Sequence, residues 1–177
     1  TEQIKLDDKY FGEGITVLKD KIYQLTWEEN TGFVYDAKTF KLEKTFSFET
    51  EGWGITNDGE KLYMSDGSEK IYILDPVTLK VVDYISVYTA GSKIDSINEM
   101  EWINGKIWAN VYQKDVIAVI NPKTGAVENV INCADLKTKV TQHPEIDYFN
   151  GIAYNPSTKT YFVTGKNWDK TFEIKID

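Results

Sequence analysis

A unit that recurs every ~40 to 50 residues constrains this chain more than any other feature, because that period belongs to propeller blades and solenoids. The first copy reads G-E-G-I-T-V-L-K-D-K-I-Y (Gly12–Tyr23), T-G-F-V-Y-D-A-K-T-F (Thr31–Phe40) and L-E-K-T-F-S-F (Leu42–Phe48). The second runs from G-W-G-I-T (Gly52–Thr56) to K-V-V-D-Y-I-S-V (Lys80–Val87), and the third from N-E-M-E-W (Asn98–Trp102) to V-E-N-V-I (Val127–Ile131). The fourth, from N-G-I-A-Y (Asn150–Tyr154) to T-F-E-I-K-I-D (Thr171–Asp177), stops after its third strand. Turn signals separate the runs. D-A-K-T, D-P-V-T and N-P-K-T recur at one place, led by Asp36, Asp75 or Asn121, as Asx-type turns require. The pattern predicts an all-β chain of blades with four short strands each. One short helical turn is expected over Ala134–Val140, inside the irregular insert between Asn132 and Asp147.

Composition supports this and narrows the function. Eleven Tyr, eight Phe and five Trp favour pleated surfaces, where flat rings pack. A net charge of −8 speaks against a nucleic-acid partner, which needs a positive field. One cysteine, Cys133, rules out an internal disulfide, and one histidine, His143, makes a zinc site or a Ser-His-Asp triad a poor reading. No apolar run approaches the ~20 residues of a membrane-spanning helix.

Aligning the copies on Ile22, Leu62, Ile107 and Tyr161 places Glu13, Trp53, Asn98 and Asn150 at one equivalent position before the first strand. In a propeller that strand is nearest the axis, so the four face one point. Three residue types occupy the four copies while their surroundings stay alike, which favours a functional ring over loop variation. A second layer aligns Trp27 with Tyr112, Gly67 and Gly165, with Lys166 one residue beyond; Trp27 and Tyr112 could equally cap a hydrophobic layer. Glu99 and Glu101 read as a blade-edge pair, with Glu99 able to orient a pocket group, and Asp66 reads as a turn residue.

The motifs F-G-E-G, T-W-x-x-x-T-G-F-x-Y-D, G-W-G-I-T-x-D-G, I-N-E-x-E-W-I-N-G-x-I-W-A-N-V and V-T-G-K-x-W resemble those of the plant and bacterial glutaminyl-peptide cyclotransferases. They follow the same order across essentially the whole chain. The resemblance implies a five-bladed β-propeller that needs no metal or cofactor, is secreted or periplasmic, and turns an N-terminal glutamine of a peptide or protein into pyroglutamate. It implies Glu13 as the catalytic glutamate and Phe11, Trp27, Trp53, Asn98, Tyr112 and Lys166 as pocket residues, with Asn150 a further possibility. Two departures stand out. The family's F-T-Q-G-L motif of the first blade is absent, and A-N-V-Y replaces A-N-V-W, putting Tyr112 where the family has an indole.

The chain is therefore expected to be one propeller domain over residues 1–177, with about four blades and an N-terminal blade incomplete. Its opening segment I-K-L-D-D-K-Y-F is expected to be an outer strand. Either residues 3–10 pair with residues 171–177, or a companion segment supplies the absent strands. Two other functions use the same ring: a calcium-dependent, lactonase-like hydrolase bound through Glu13, Asn98 and Asn150, and a non-catalytic propeller scaffold.

Overall fold

The computed structural model describes residues 3–176. Alternating apolar residues and tight turns build three four-stranded antiparallel meanders and one of three strands. The first holds β1 (Gly12–Leu18), β2 (Lys21–Thr26), β3 (Thr31–Asp36) and β4 (Leu42–Ser47). The second holds β5 (Ile55–Asn57), β6 (Leu62–Ser65), β7 (Lys70–Leu74) and β8 (Val81–Ser86). A two-stranded hairpin follows, β9 (Tyr88–Thr89) and β10 (Ser92–Lys93), unannounced by the repeat. Its turn residues Ala90 and Gly91 both have positive φ, as a two-residue hairpin loop requires. The third sheet holds β11 (Ile97–Ile103), β12 (Lys106–Val111), β13 (Val116–Ile120) and β14 (Val127–Asn132). After α1 (Ala134–Lys137), the only helix among the described residues, come β15 (Phe149–Asn155), β16 (Thr160–Gly165) and β17 (Phe172–Ile174).

These are the blades of a β-propeller. Each sheet's first strand lies innermost, β1 packing on β5, β5 on β11 and β11 on β15. Between successive sheets sit three apolar layers. Leu25, Leu62 and Met64 lie between the first and second sheets, Ile97, Met100 and Ile107 between the second and third, and Phe149, Ile117 and Val163 between the third and fourth. The recurring turns behave alike: Asp36 Oδ1 accepts from the Lys38 and Thr39 backbone N–H groups, and Asp75 Oδ1 from those of Val77 and Thr78. Those donors hold the Asp75 carboxyl far below the usual carboxylate range, with Lys61 Nζ 2.9 Å away reinforcing them.

Two features of the innermost strands position the site. In β1, β11 and β15 the register shifts between Gly12 and Ile15, Ile97 and Met100, and Phe149 and Ile152. In the second blade Ser65 faces two residues the same way, its O accepting from Trp53 N and its N donating to Gly54 O. A bulge of this kind re-aims a side chain, and here it turns one residue per blade towards the axis. The blades also approach closely at backbone level. Gly14 N donates to Trp53 O at 2.9 Å, and a Cβ on Gly54 would lie 2.1 Å from Asn98 O. Gly54→Ala is therefore expected to cost about 3 kcal/mol, since the obstacle is backbone that cannot rotate away; chemical denaturation measures it.

The opening segment departs from expectation. No strand forms over residues 3–10. Asp7 caps a turn instead, its Oδ1 accepting from Lys9 N and its O from Tyr10 N. A D-D-K triplet offers side-chain acceptors that compete with a strand ladder. Tyr10 then packs edge-on to Phe33 of the first blade, with ring centroids 5.1 Å apart. Pairing of residues 3–10 with 171–177 is not found among the described residues; β17 pairs with β16 alone. Thr1, Glu2 and Asp177 lie outside them.

Candidate active site

Where the bulges point, the innermost strands and the ends of the second strands enclose a cavity of about 190 Å³. Phe11, Glu13, Trp27, Trp53, Asn98, Tyr112 and Lys166 line it. These seven come from all four blades, so only the assembled blades bring them together. Asn150 stands apart from them. With Glu13, Trp53, Asn98 and Glu99 it lines an adjoining cavity of about 240 Å³ deeper along the axis, and its Oδ1 is buried without a partner. The four ring positions thus converge, with three on the outer pocket and all four on the inner one.

The second layer needs one correction. Phe149 pairs with Gly165, and Lys166 N donates to Tyr148 O. In the same way Trp27 N donates to Phe11 O and Tyr112 N to Ser96 O. Lys166 itself, not Gly165, is therefore the equivalent of Trp27 and Tyr112. In the second blade the position is Gly67, whose φ is +81°. A Cβ there would lie 2.6 Å from the Trp53 ring, so the missing side chain is the space into which that indole lies.

Glu13 is the only acid among the described residues that line the pocket. Its side chain is 17% exposed, and Lys166 Nζ lies 4.0 Å from its Oε1. Burial raises the Glu13 carboxyl above the ordinary carboxylate value, and the Lys166 charge pulls the other way. Burial has the larger effect because Lys166, 37% exposed, is screened by water. Asn98 is 3% exposed and its side-chain amide has no hydrogen bond to protein among the described residues, leaving it for a ligand.

The walls are aromatic. Phe11 meets Trp27 edge-on at 6.0 Å, Trp53 meets Tyr112 at 5.4 Å, and Tyr112 meets Tyr148 at 5.1 Å. Sequence reasoning missed three supports. Glu29 Oε2 accepts from Phe11 N, Tyr148 backs Tyr112, and Glu51 Oε2 accepts from both Trp27 Nε1 and Trp53 Nε1 at 2.7 and 2.8 Å. A signal for two of these existed. Phe11, Glu51 and Tyr148 each sit two residues before a ring position.

Glu99 and Glu101 are not a blade-edge pair. They lie on innermost strand β11, where Glu99 Oε2 accepts from Ile152 N and Glu101 Oε1 from Tyr154 N of the next blade. Glu99 lines the axial cavities, keeping some accessible surface although protein surrounds it. Burial, helped by the nearby Glu101, pushes its carboxyl up to about 8. His143 Nε2 contacts Asn167 O in the insert, and burial pushes the Cys133 thiol up to about 11, far from a reactive thiolate. Asp66 is a turn residue, accepting from Ser68 N.

Fold and pocket together define the class: a β-propeller with a small, aromatic-walled cavity around a single carboxylate at one end of its axis. The chain belongs to the glutamine cyclotransferase family, whose sequence signature matches residues 1–176. It is 41% identical over 175 residues to the glutaminyl-peptide cyclotransferase of Arabidopsis thaliana, covering 97% of this chain and 55% of that protein. The chain thus spans about half the length of that curated relative. The crystal structure of Myxococcus xanthus glutaminyl cyclase superposes with a TM-score of 0.90 at 34% identity, over 96% of this chain and 74% of that one. The computationally designed protein Ika4 shares the fold alone, with a TM-score of 0.54 at 11% identity over 97% of this chain and 94% of that one.

Proposed function

We propose that the pocket cyclises an N-terminal glutamine of a peptide or protein to pyroglutamate, with Glu13 moving the proton. The observation that carries this reading is a lone carboxylate, held above its ordinary pKa, facing an unpartnered amide and an ammonium inside aromatic walls. Family membership supports the same reaction class.

Cyclisation requires the α-amine to attack the amide carbon, Cδ, of its own side chain. As the C–N bond forms, the amine loses a proton, and the side-chain amide leaves as ammonia once it has gained one. Glu13, close to both nitrogens, takes the first proton and returns it, so no proton is consumed overall. The γ-carbonyl oxygen becomes an oxyanion on the way, and the Asn98 amide and Lys166 ammonium are the donors that meet it. Phe11, Trp27, Trp53 and Tyr112 hold the side chain folded back towards its amine and keep water from competing for the amide carbon. An open β17 edge, beside a sheet with three strands where the others have four, suits a companion segment that adds strands to the fourth blade. Native mass measurement of the purified protein tests that partner.

A lactonase-like calcium site fits less well, because the Trp53 indole takes the ring position where such a site needs an oxygen. Among the described residues no three His, Cys, Asp or Glu side chains gather as a ligand set. An ammonia-release assay tests the reading: a Gln-initiated peptide is expected to react and its N-acetylated counterpart to be inert. Calcium-dependent ester hydrolysis without ammonia release would overturn it.

The pH dependence follows from the charges. Glu13 acts as a base only when ionised, so kcat/KM is expected to fall as pH drops through its raised pKa. Lys166→Met removes the charge that opposes this rise. The acidic limb should move to higher pH in that variant, as a pH–rate profile will show; an unmoved limb would detach it from Glu13.

A further inference from the structure

We propose that Glu51 is a positioning residue for the glutamine pocket, clamping the indoles of Trp27 and Trp53 so that two walls from different blades keep one fixed spacing. The role in catalysis rests on the cyclisation reading above; the clamp itself rests on geometry. One oxygen, Oε2, accepts from both indole N–H groups, at 2.7 Å from Trp27 and 2.8 Å from Trp53. Two donors on one anionic acceptor make charge-assisted bonds, which are shorter and stronger than neutral ones.

The segment that carries Glu51 joins β4 of the first blade to β5 of the second, and it is fixed at main-chain level on both sides. Gly52 N donates to Trp27 O at 3.0 Å, and the Asn30 side-chain amide donates to Thr50 O. A Cβ on Gly52 would lie 2.5 Å from Thr26 O, so backbone meets backbone directly beside the clamp. The carboxylate therefore hangs from a rigid hinge between blades.

The two indoles depend on this tie to different degrees. Trp53 has further constraints, the vacancy over Gly67 and the Tyr112 ring at 5.4 Å. Trp27, at the open end of β2, is 39% exposed, and its one aromatic partner is Phe11, itself 57% exposed. A half-exposed indole without its hydrogen bond is free to swing about χ1 and χ2, so the Trp27 wall is the part of the pocket that the clamp orders. Glu51 does not line the cavity and exchanges no proton with substrate; it acts through the rings it holds. Misplacing a wall by about 1 Å is enough to cost on the order of 10²-fold in rate.

The test compares the intact protein with its Glu51→Ala and Glu51→Gln variants, using a Gln-initiated peptide as substrate and ¹⁵N NMR of the indole N–H groups. In the wild type the Trp27 and Trp53 indole resonances are expected downfield and protected from exchange. In Glu51→Ala both should lose that shift and protection, the Trp27 signal most. Its kcat/KM should fall about 10- to 100-fold, with the acidic limb of the pH profile unmoved. Glu51→Gln keeps an oxygen for the two donors and should recover most of the loss, which also covers the case where Glu51→Ala fails to fold. Unaltered indole signals in Glu51→Ala would overturn the clamp. Released indoles with kcat and KM both unchanged would overturn the positioning role. If the wild type releases no ammonia, the cyclisation reading fails alone, and the indole resonances still decide the clamp.

Discussion

Replacing Glu13 by Gln is expected to lower turnover by on the order of 10²–10⁴-fold, the contribution of a positioned general base, while the fold stays intact. Glutamine keeps the shape of the side chain and loses only the proton acceptor. Stability should hold or rise, because the wild-type carboxyl is partly buried and resists ionisation, as its raised pKa records. Thermal unfolding of the variant separates the two effects. A variant with wild-type turnover would hand the base role to another group.

The Glu99→Gln variant should change how stability depends on pH by a comparably large amount. Glu99 titrates near 8 in the fold against an ordinary value of 4.5. Between those limits the folded state holds a proton that the unfolded chain has released, so stability falls as pH rises through this window and is fully reduced above about pH 8. At about 1.4 kcal/mol per pH unit, the loss attributable to this one carboxyl is on the order of 5 kcal/mol. Glutamine keeps an oxygen for Ile152 N and stays neutral, so the slope should shrink sharply and the variant should outlast the wild type at pH 8 and above. Glu13 and Glu101 are raised by burial as well and should leave a smaller residual slope. Denaturant unfolding at pH 5 and pH 8.5 measures it; parallel curves for both proteins would mean that Glu99 is already ionised in the fold.

Much of this architecture is legible in the sequence because the blade is a local object. Its strands alternate, its turns carry Asp36, Asp75 and Asn121 at one place, and each sheet is a simple meander. The ring was legible for a subtler reason. A bulge in each innermost strand aims one residue at the axis, so Glu13, Trp53, Asn98 and Asn150 vary against a constant frame. What stayed hidden depends on contacts between blades. Glu51 reads as one more acid in the acidic stretch Glu49–Glu51 until two indoles from different blades reach it. Glu99 reads as a surface carboxylate until β15 packs against β11 and supplies Ile152 N. Residues 3–10 precede G-E-G as Leu42–Phe48 precedes G-W-G, which points to an outer strand, and the local hydrogen bonds of Asp7 win instead. Lys166 was legible without the structure, since it follows Tyr161 by five residues as Trp27 follows Ile22 and Tyr112 follows Ile107.

In the proposed reaction the pocket joins the α-amine to the side-chain amide carbon, Cδ, and keeps water out of that step. Mass spectrometry of a Gln-initiated peptide after incubation with the intact protein tests it most directly, because cyclisation and hydrolysis leave different products. The expected product is a peptide lighter by one ammonia, with its N-terminus blocked, and it should form on the order of 10²–10⁴-fold more slowly with Glu13→Gln. A product in which glutamine has become glutamate with a free amine would contradict it, as would a peptide returned unchanged by the wild type.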